Sequence, residues 1–180
     1  MPIGFQELID LYYQNLYRYA LSISGSRENA WDLTQETFLI WARKGSTIRS
    51  DKATKSWLYT TLYREFLKLS KRNSRVVALE DQSMCYESLS DGEDPLPHFE
   101  AENVMNLLME LKLEYRKVVT LYYLESYSYK EISKILDIPI GTVMSRLARG
   151  KDVLRRKLRN ENEPNNIVAY KKLERVSGDE

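Results

Sequence analysis

The chain has 180 residues, 43% hydrophobic and 29% charged, and its 27 basic and 26 acidic groups leave a net charge of +1. That composition fits one ordinary or two small globular domains and excludes a large enzyme scaffold and a chain disordered throughout. No apolar run approaches the roughly 20 residues of a bilayer span, and Met1-Pro2-Ile3-Gly4-Phe5 lacks the basic-then-apolar order of a secretory signal, so a cytoplasmic protein without membrane insertion is expected. One cysteine, Cys85, and one histidine, His98, are too few for an internal disulfide or a structural zinc site, and neither a metal nor a cofactor is expected.

The first helix is expected over 5–24. Phe5, Leu8, Ile9, Tyr12, Leu16, Tyr19, Ala20 and Ile23 recur at i, i+3, i+4 spacing and stop at Gly25, a helix-ending residue. Ser26 then caps a second helix over 28–44. In it Ala30, Trp31, Thr34, Phe38 and Trp41 form a broad apolar side, while Asp32, Gln35, Glu36, Leu39 and Arg43 gather within about 100° on another. Taken alone, this second stripe fits either a solvated face or a functional surface with a leucine inside it.

The loop 45–55, with Arg49, Lys52 and Lys55, reads as flexible and basic, suited to approach a nucleic-acid strand or hold an extruded base. A third helix over 54–73 turns Leu58, Leu62, Phe66 and Leu69 inward and carries Trp57, Thr61, Arg64, Lys68 and Lys71 along another face. Lysine and arginine neutralise phosphates, and an exposed tryptophan stacks on unpaired bases for about 1–3 kcal/mol. Core rings beside solubilising charges fit the same spacing equally well.

Charge then changes sign along the chain. Residues 1–75 carry +5, 76–103 carry −8 without a single Lys or Arg, 104–160 carry +6, and 161–180 carry −2. Two basic modules around an acidic stretch suit bodies that meet a polyanion, joined by a linker that avoids or imitates it. Asp91-Gly92, Pro95 and Pro97 break regular structure, and repelling carboxylates keep this linker extended and flexible. The expected organisation is therefore all-α: a helical module over 1–75, a linker over 76–103, a second helical module over 104–160 and a tail over 161–180 whose composition fits disorder, with a regulatory appendage as the alternative.

In the second module Val118, Leu121, Tyr122 and Glu125 close one helix. Ser128 caps the next, over 129–136, with Glu131 at the capping-box position, and Asp137-Ile138-Pro139 turns the chain. Gly141-Thr142 opens a last helix with Val143, Leu147, Leu154 and Leu158 inward and Thr142, Ser145, Arg146 and Arg149 opposite. This is a helix-turn-helix pattern, whose second helix enters a major groove. Arg146 suits a bidentate contact to guanine, Ser145 and Thr142 suit a base or phosphate, and Arg149, Lys151, Arg155, Arg156 and Arg159 suit the backbone. A solvated helical hairpin is the plainer reading.

Two stretches together carry a family resemblance: Asp32-Leu33-Thr34-Gln35-Glu36-Thr37-Phe38, and Tyr127-Ser128-Tyr129-Lys130-Glu131-Ile132 continued by Ile138-Pro139-Ile140-Gly141-Thr142-Val143-Met144-Ser145-Arg146-Leu147. In order and separation they resemble the extracytoplasmic-function (ECF) sigma factors, two-domain members of the sigma-70 family, over about residues 5–160. The resemblance implies a sigma-2-like and a helix-turn-helix sigma-4-like domain in a non-enzymatic subunit. Such a subunit binds core RNA polymerase and directs promoter −10 and −35 recognition, promoter melting and transcription initiation. It places Asp32, Gln35, Glu36 and Leu39 on the β′ clamp helices and brings the β subunit, promoter DNA and an anti-sigma factor in as partners. By the same resemblance, Arg49, Lys52, Trp57, Thr61, Arg64, Lys68, Lys71 and Arg72 meet the −10 element, with one base flipped into a loop pocket. Lys130, Thr142, Ser145, Arg146, Arg149 and Lys151 meet the −35 element, and the acidic linker threads toward the RNA exit channel.

The chain departs from the family pattern at three places. Arg64 stands where Asn is common, which points to a backbone contact. Lys112-Leu113-Glu114-Tyr115-Arg116 lacks the usual Leu-Pro turn, which predicts a less sharply broken helix, and Met144 replaces a frequent Lys or Arg, which predicts an altered −35 contact. A stand-alone helix-turn-helix regulator is the competing reading, but it leaves the Asp32, Gln35, Glu36 stripe and the aromatic-basic third helix without a role.

Overall fold

In a computed structural model that describes residues 4–45, 48, 50–77 and 99–160, every regular element among the described residues is helical. The chain divides into two units, Met1–Pro95 and Leu96–Glu180. Each has its own core.

The first unit is three helices. α1 spans Phe5–Ser24 and stops where Gly25 takes φ 70°, ψ 10°, a left-handed turn that costs glycine no Cβ clash, with its N–H returned to the Leu21 carbonyl. Ser26 follows in extended backbone, and its Oγ accepts the Asn29 N–H, which starts α2, Arg27–Lys44. α3 runs Asp51–Val77, with the Ser50 Oγ accepting the Ala53 N–H at 3.2 Å. It begins earlier than the spacing predicts, because Ser50 caps it, and Lys52 and Lys55 therefore ride on its first turns instead of a loop. All three helices pack on one another. Leu8, Leu16, Tyr19, Leu58, Tyr59 and Leu62 are almost fully buried, and the rings of Tyr19 and Tyr59 meet at 5.3 Å. Burial of such side chains stabilises by about 1.5–3 kcal/mol each, which is how a small unit closes a core.

The second unit begins with α4, Phe99–Met109. The chain breaks at 110–112 and resumes as α5, Leu113–Val119, with Lys112 at φ −55°, ψ 139°. The break is sharp without a proline, contrary to the expectation from the missing Leu-Pro turn. Leu111 is buried at 2% exposure and anchors the turn, and the Lys112 carbonyl accepts both the Tyr115 and Arg116 N–H groups. A π-helical turn, Thr120–Leu124, continues α5, its wider ring closed by the Glu125 N–H on the Thr120 carbonyl at 3.3 Å.

α6 spans Tyr129–Leu136. Its capping box is complete: the Ser128 Oγ accepts the Glu131 N–H while the Ser128 N–H donates to Glu131 Oε2 at 3.0 Å. Asp137 ends α6 at φ 52°, ψ 51°, and the Ser133 hydroxyl donates to the Ile138 carbonyl at 2.6 Å, which pins the turn. α7, Ile140–Asn160, starts one residue before Gly141, with the Thr142 and Val143 N–H groups donating to the Pro139 carbonyl. Val143, Leu147 and Leu154 are its buried stripe, and it packs on α5 and α6.

α3 continues through Val77 and α4 begins at Phe99, so helix reaches beyond both expected limits of the acidic linker at 76–103. The rest of that linker and the 161–180 tail lie outside the described residues.

Gly150 sets the spacing of α5 and α7. A Cβ there would stand 2.6 Å from Val119 Cγ2 and 3.3 Å from Tyr115 Cβ, so the two helices approach through the missing side chain. Gly150→Val is expected to destabilise the protein by about 1–3 kcal/mol through overpacking. Far-UV circular dichroism on heating reads this directly, and an unmoved midpoint would show that α5 yields without cost.

Candidate functional site

α2 has two distinct sides. Ala30, Leu33, Thr34, Thr37, Phe38 and Trp41 are buried. The Thr34 and Thr37 hydroxyls donate back to the Ala30 and Leu33 carbonyls at 2.7 Å each, so neither threonine leaves an open polar atom inside. On the other side Asp32, Gln35, Glu36 and Arg43 are exposed, with Leu39 at 48% exposure among them.

Trp31 corrects the sequence reading. Expected on the apolar side, it is 49% exposed, because Leu33 and Thr37 take the inward places and the indole emerges beside Gln35. Helical position carries a weak signal, since Trp31 lies about 20° nearer the polar stripe than Phe38. The outward side of α2 is thus a carboxylate and amide row bordered by Trp31 and holding Leu39.

α3 sorts its candidate residues. Arg64, Lys68, Lys71 and Arg72 are exposed along its outer face, with Lys68 Nζ 2.6 Å from Glu65 Oε1. Thr61 is not with them: at 8% exposure its side chain is buried, because the wheel position that aligns it with Arg64 faces a neighbouring helix. Trp57 is half-buried and meets Trp41 edge to face at 5.3 Å and 73°, which makes its ring part of the packing. Lys52 is exposed, Lys55 Nζ lies 5.8 Å from the centre of the Tyr59 ring, and Arg49 lies outside the described residues.

In the second unit, α7 presents Ser145, Arg149 and Arg156 outward, with Lys130 exposed on the first turn of α6. Thr142 and Lys151 are half-buried. Arg146 sits on the flank of α7 rather than opposite the core, with one guanidinium nitrogen 3.7 Å from Glu114 Oε2 in the first turn of α5. The sequence reading missed this partner, because Glu114 and Arg146 lie on different helices and no spacing rule joins them. The Ser145 hydroxyl donates to the Thr142 carbonyl at 3.1 Å. Arg155 pairs with Asp152 at 3.9 Å, while the Arg159 side chain lies outside the described residues. Beside this face stands a tyrosine group, Tyr122 stacked on Tyr129 at 5.3 Å and edge-on to Tyr123 at 4.9 Å. Burial, reinforced by Tyr129, pushes the Tyr123 hydroxyl above its usual range against the opposing pull of Arg155.

Among the described residues no group of three or more His, Cys, Asp or Glu could hold a metal ion, and no helix is long and apolar enough to cross a membrane.

The two units correspond to two separate family matches: Sigma-70 region 2 over residues 8–76, and Sigma-70, region 4 over residues 101–154. The ECF RNA polymerase sigma factor SigM of Bacillus subtilis (strain 168) is 30% identical over 152 residues, spanning 83% of this chain and 91% of that protein. The chain belongs to the ECF sigma factors of the sigma-70 family. The ECF sigma factor SigW of the same organism is 29% identical over 168 residues, 87% of this chain and 90% of its own length. In fold, this sigma factor is similar to the sigma factor RpoE of Bartonella quintana, solved in complex with the anti-sigma factor NepR. That match has a TM-score of 0.74 and 24% identity and covers 88% of this chain and 98% of that one. Sigma factors are non-enzymatic transcription initiation factors that bind RNA polymerase, and α6 and α7 lie within the region 4 match, the helix-turn-helix part of such proteins.

The ion pair of this sigma factor at Arg146 is open to solvent on both sides, with side-chain exposures of 26% and 46%. Such pairs contribute about 0–1 kcal/mol, less than the about 1–3 kcal/mol of a bidentate guanine contact, so Glu114 does not prevent Arg146 from turning to DNA. A double-mutant cycle of Glu114→Ala and Arg146→Ala, read by chemical denaturation, is expected to give a coupling below about 1 kcal/mol. A larger coupling would make the pair a structural clamp.

Proposed function

We propose that this ECF sigma factor docks on the β′ clamp helices of core RNA polymerase through Asp32, Gln35, Glu36 and Leu39, and reads promoter DNA with the outer faces of α3 and α7. The observation that supports this reading best is the exposed α2 side. A carboxylate and amide row with a half-exposed leucine inside it suits a basic, partly apolar partner helix, where a merely solvated face needs no Leu39.

On DNA, Arg64, Lys68, Lys71 and Arg72 track the −10 strand by charge, as phosphate contacts position without reading sequence. Thr61 is left out because it is buried, and Trp57 offers only the part of its ring that packing with Trp41 leaves open. Lys52 stands near this path at the start of α3, and the expected flipped-base contact of Arg49 lies outside the described residues. In the −35 duplex, Ser145 meets a base edge; Arg149, expected at the backbone, is exposed one turn beyond Ser145 and so joins it there, Arg146 follows once it leaves Glu114, and Lys130, Thr142 and Lys151 hold the backbone. The β subunit and the path of the acidic linker to the RNA exit channel complete the polymerase contacts. All of this is binding and strand opening, carried out where polymerase and promoter are, in the cytoplasm.

An anti-sigma factor is the proposed regulator. RpoE of Bartonella quintana was solved with its anti-sigma factor NepR, and CnrH, at a TM-score of 0.60 and 19% identity, with the cytosolic domain of CnrY. Exposed apolar groups on α2 suit a partner that competes with polymerase for the same face.

Asp32→Lys reverses one charge on an exposed helix position and should leave the fold intact. Co-elution with core polymerase on size exclusion is expected to weaken by about tenfold or more, corresponding to at least about 1.4 kcal/mol; wild-type co-elution would remove the α2 face from the interface. Arg149→Ala should cost about 1–3 kcal/mol in binding a −35 duplex by the holoenzyme and relax the preference at one base pair. A uniform loss across all sequences would make Arg149 a phosphate contact.

A further inference from the structure

We propose that Met144 reads a thymine of the −35 duplex through its 5-methyl group, an inference that rests on α7 being the groove-facing helix. Met144 is 52% exposed and Ile140 48%, and Ala148 is exposed as well. At i, i+4, i+8 spacing these three make an apolar row along the first two turns of α7, directly beside the polar row of Ser145 and Arg149. The row is not core. The buried stripe of the helix is Val143, Leu147 and Leu154, and α5 and α6 pack on that side.

Charge selects the occupant of this row. Lys151 and Arg155, both half-buried, lie within about 20° of Met144 round the helix, and Arg149 and Arg156 are exposed farther round it, so the helix favours a polyanion over an apolar peptide. Within a major groove the thymine 5-methyl is the apolar group that a base pair offers, and aliphatic side chains read it by contact. Methionine suits this task because its unbranched thioether adapts to an irregular surface. It cannot bond a phosphate or a guanine edge as Lys or Arg would, so preference at its base pair moves toward A·T.

The test uses the full chain assembled with core RNA polymerase. A −35 element is first selected from a random duplex library, and each of its thymines, on either strand, is then replaced by deoxyuridine, which lacks only the methyl group. The expected result is a loss of about fourfold in affinity at one position. Met144→Ala should erase the difference between thymine and deoxyuridine there, and Met144→Leu should keep it. Equal binding of thymine and deoxyuridine at every position would overturn the proposal, as would a −35 element without thymine or discrimination unchanged in Met144→Ala. In those cases the selected element itself still stands as support for α7 as the reading helix. Selection of no −35 element would instead bring down that reading and the proposal with it.

Discussion

The second unit depends on how closely α5 and α7 approach at Gly150. A side chain there would enter the space of Val119 and Tyr115, so the absence of a Cβ fixes the distance between the two helices. From that contact the rest of the unit follows. The buried stripe of α7 lies against α5 and α6, and every residue about half a turn away from it is committed to solvent or to a partner. The turn at Asp137, tied by Ser133 to Ile138, sets the angle at which α7 leaves α6. A helix that forms core and interface along opposite stripes tolerates little rotation, since about 100° moves a whole row from one role to the other.

The first unit meets a similar demand with different chemistry. α2 buries two threonines whose hydroxyls are satisfied within their own helix, which lets a short polar side chain face the core without an open hydrogen bond. Trp41 covers Gly45 and meets Trp57, so the largest rings of α2 and α3 hold the helices together near the start of α3. The outer faces are then left largely to polar groups: Asp32, Gln35 and Glu36 with Arg43 at the far end on α2, ammonium and guanidinium on α3.

Much of this was legible in the sequence. Gly25, Ser26, Ser128 and Glu131 mark helix ends by local chemistry, and the structure shows those caps formed as the residue types require. The all-α class and the helix-turn-helix followed from periodicity and turn residues. What was not legible came from contacts between helices. Spacing aligns Thr61 with Arg64 but cannot say that another helix covers the threonine, and it puts Trp31 near Phe38 without saying that packing stops between them. The Glu114–Arg146 pair spans two helices, and the π turn at Thr120–Leu124 uses residue types an α-helix accepts as readily. The break at 110–112 needs no proline because a buried leucine and one carbonyl accepting two N–H groups hold it.

The ion pair at Arg146 also bears on thermodynamics measured far from the structure. Proteins that neutralise phosphates release the cations condensed on DNA, and the slope of affinity against salt counts those neutralisations. A guanidinium already balanced by a carboxylate brings less net charge to the duplex than an unshared one. On the proposed reading of α7 as the groove-facing helix, Arg155 with Asp152 therefore enters that count at a discount, and Arg146, balanced by Glu114, adds little to the local field. The salt slope would then fall short of the number of cations on that face, leaving more of the affinity to contacts that salt does not screen.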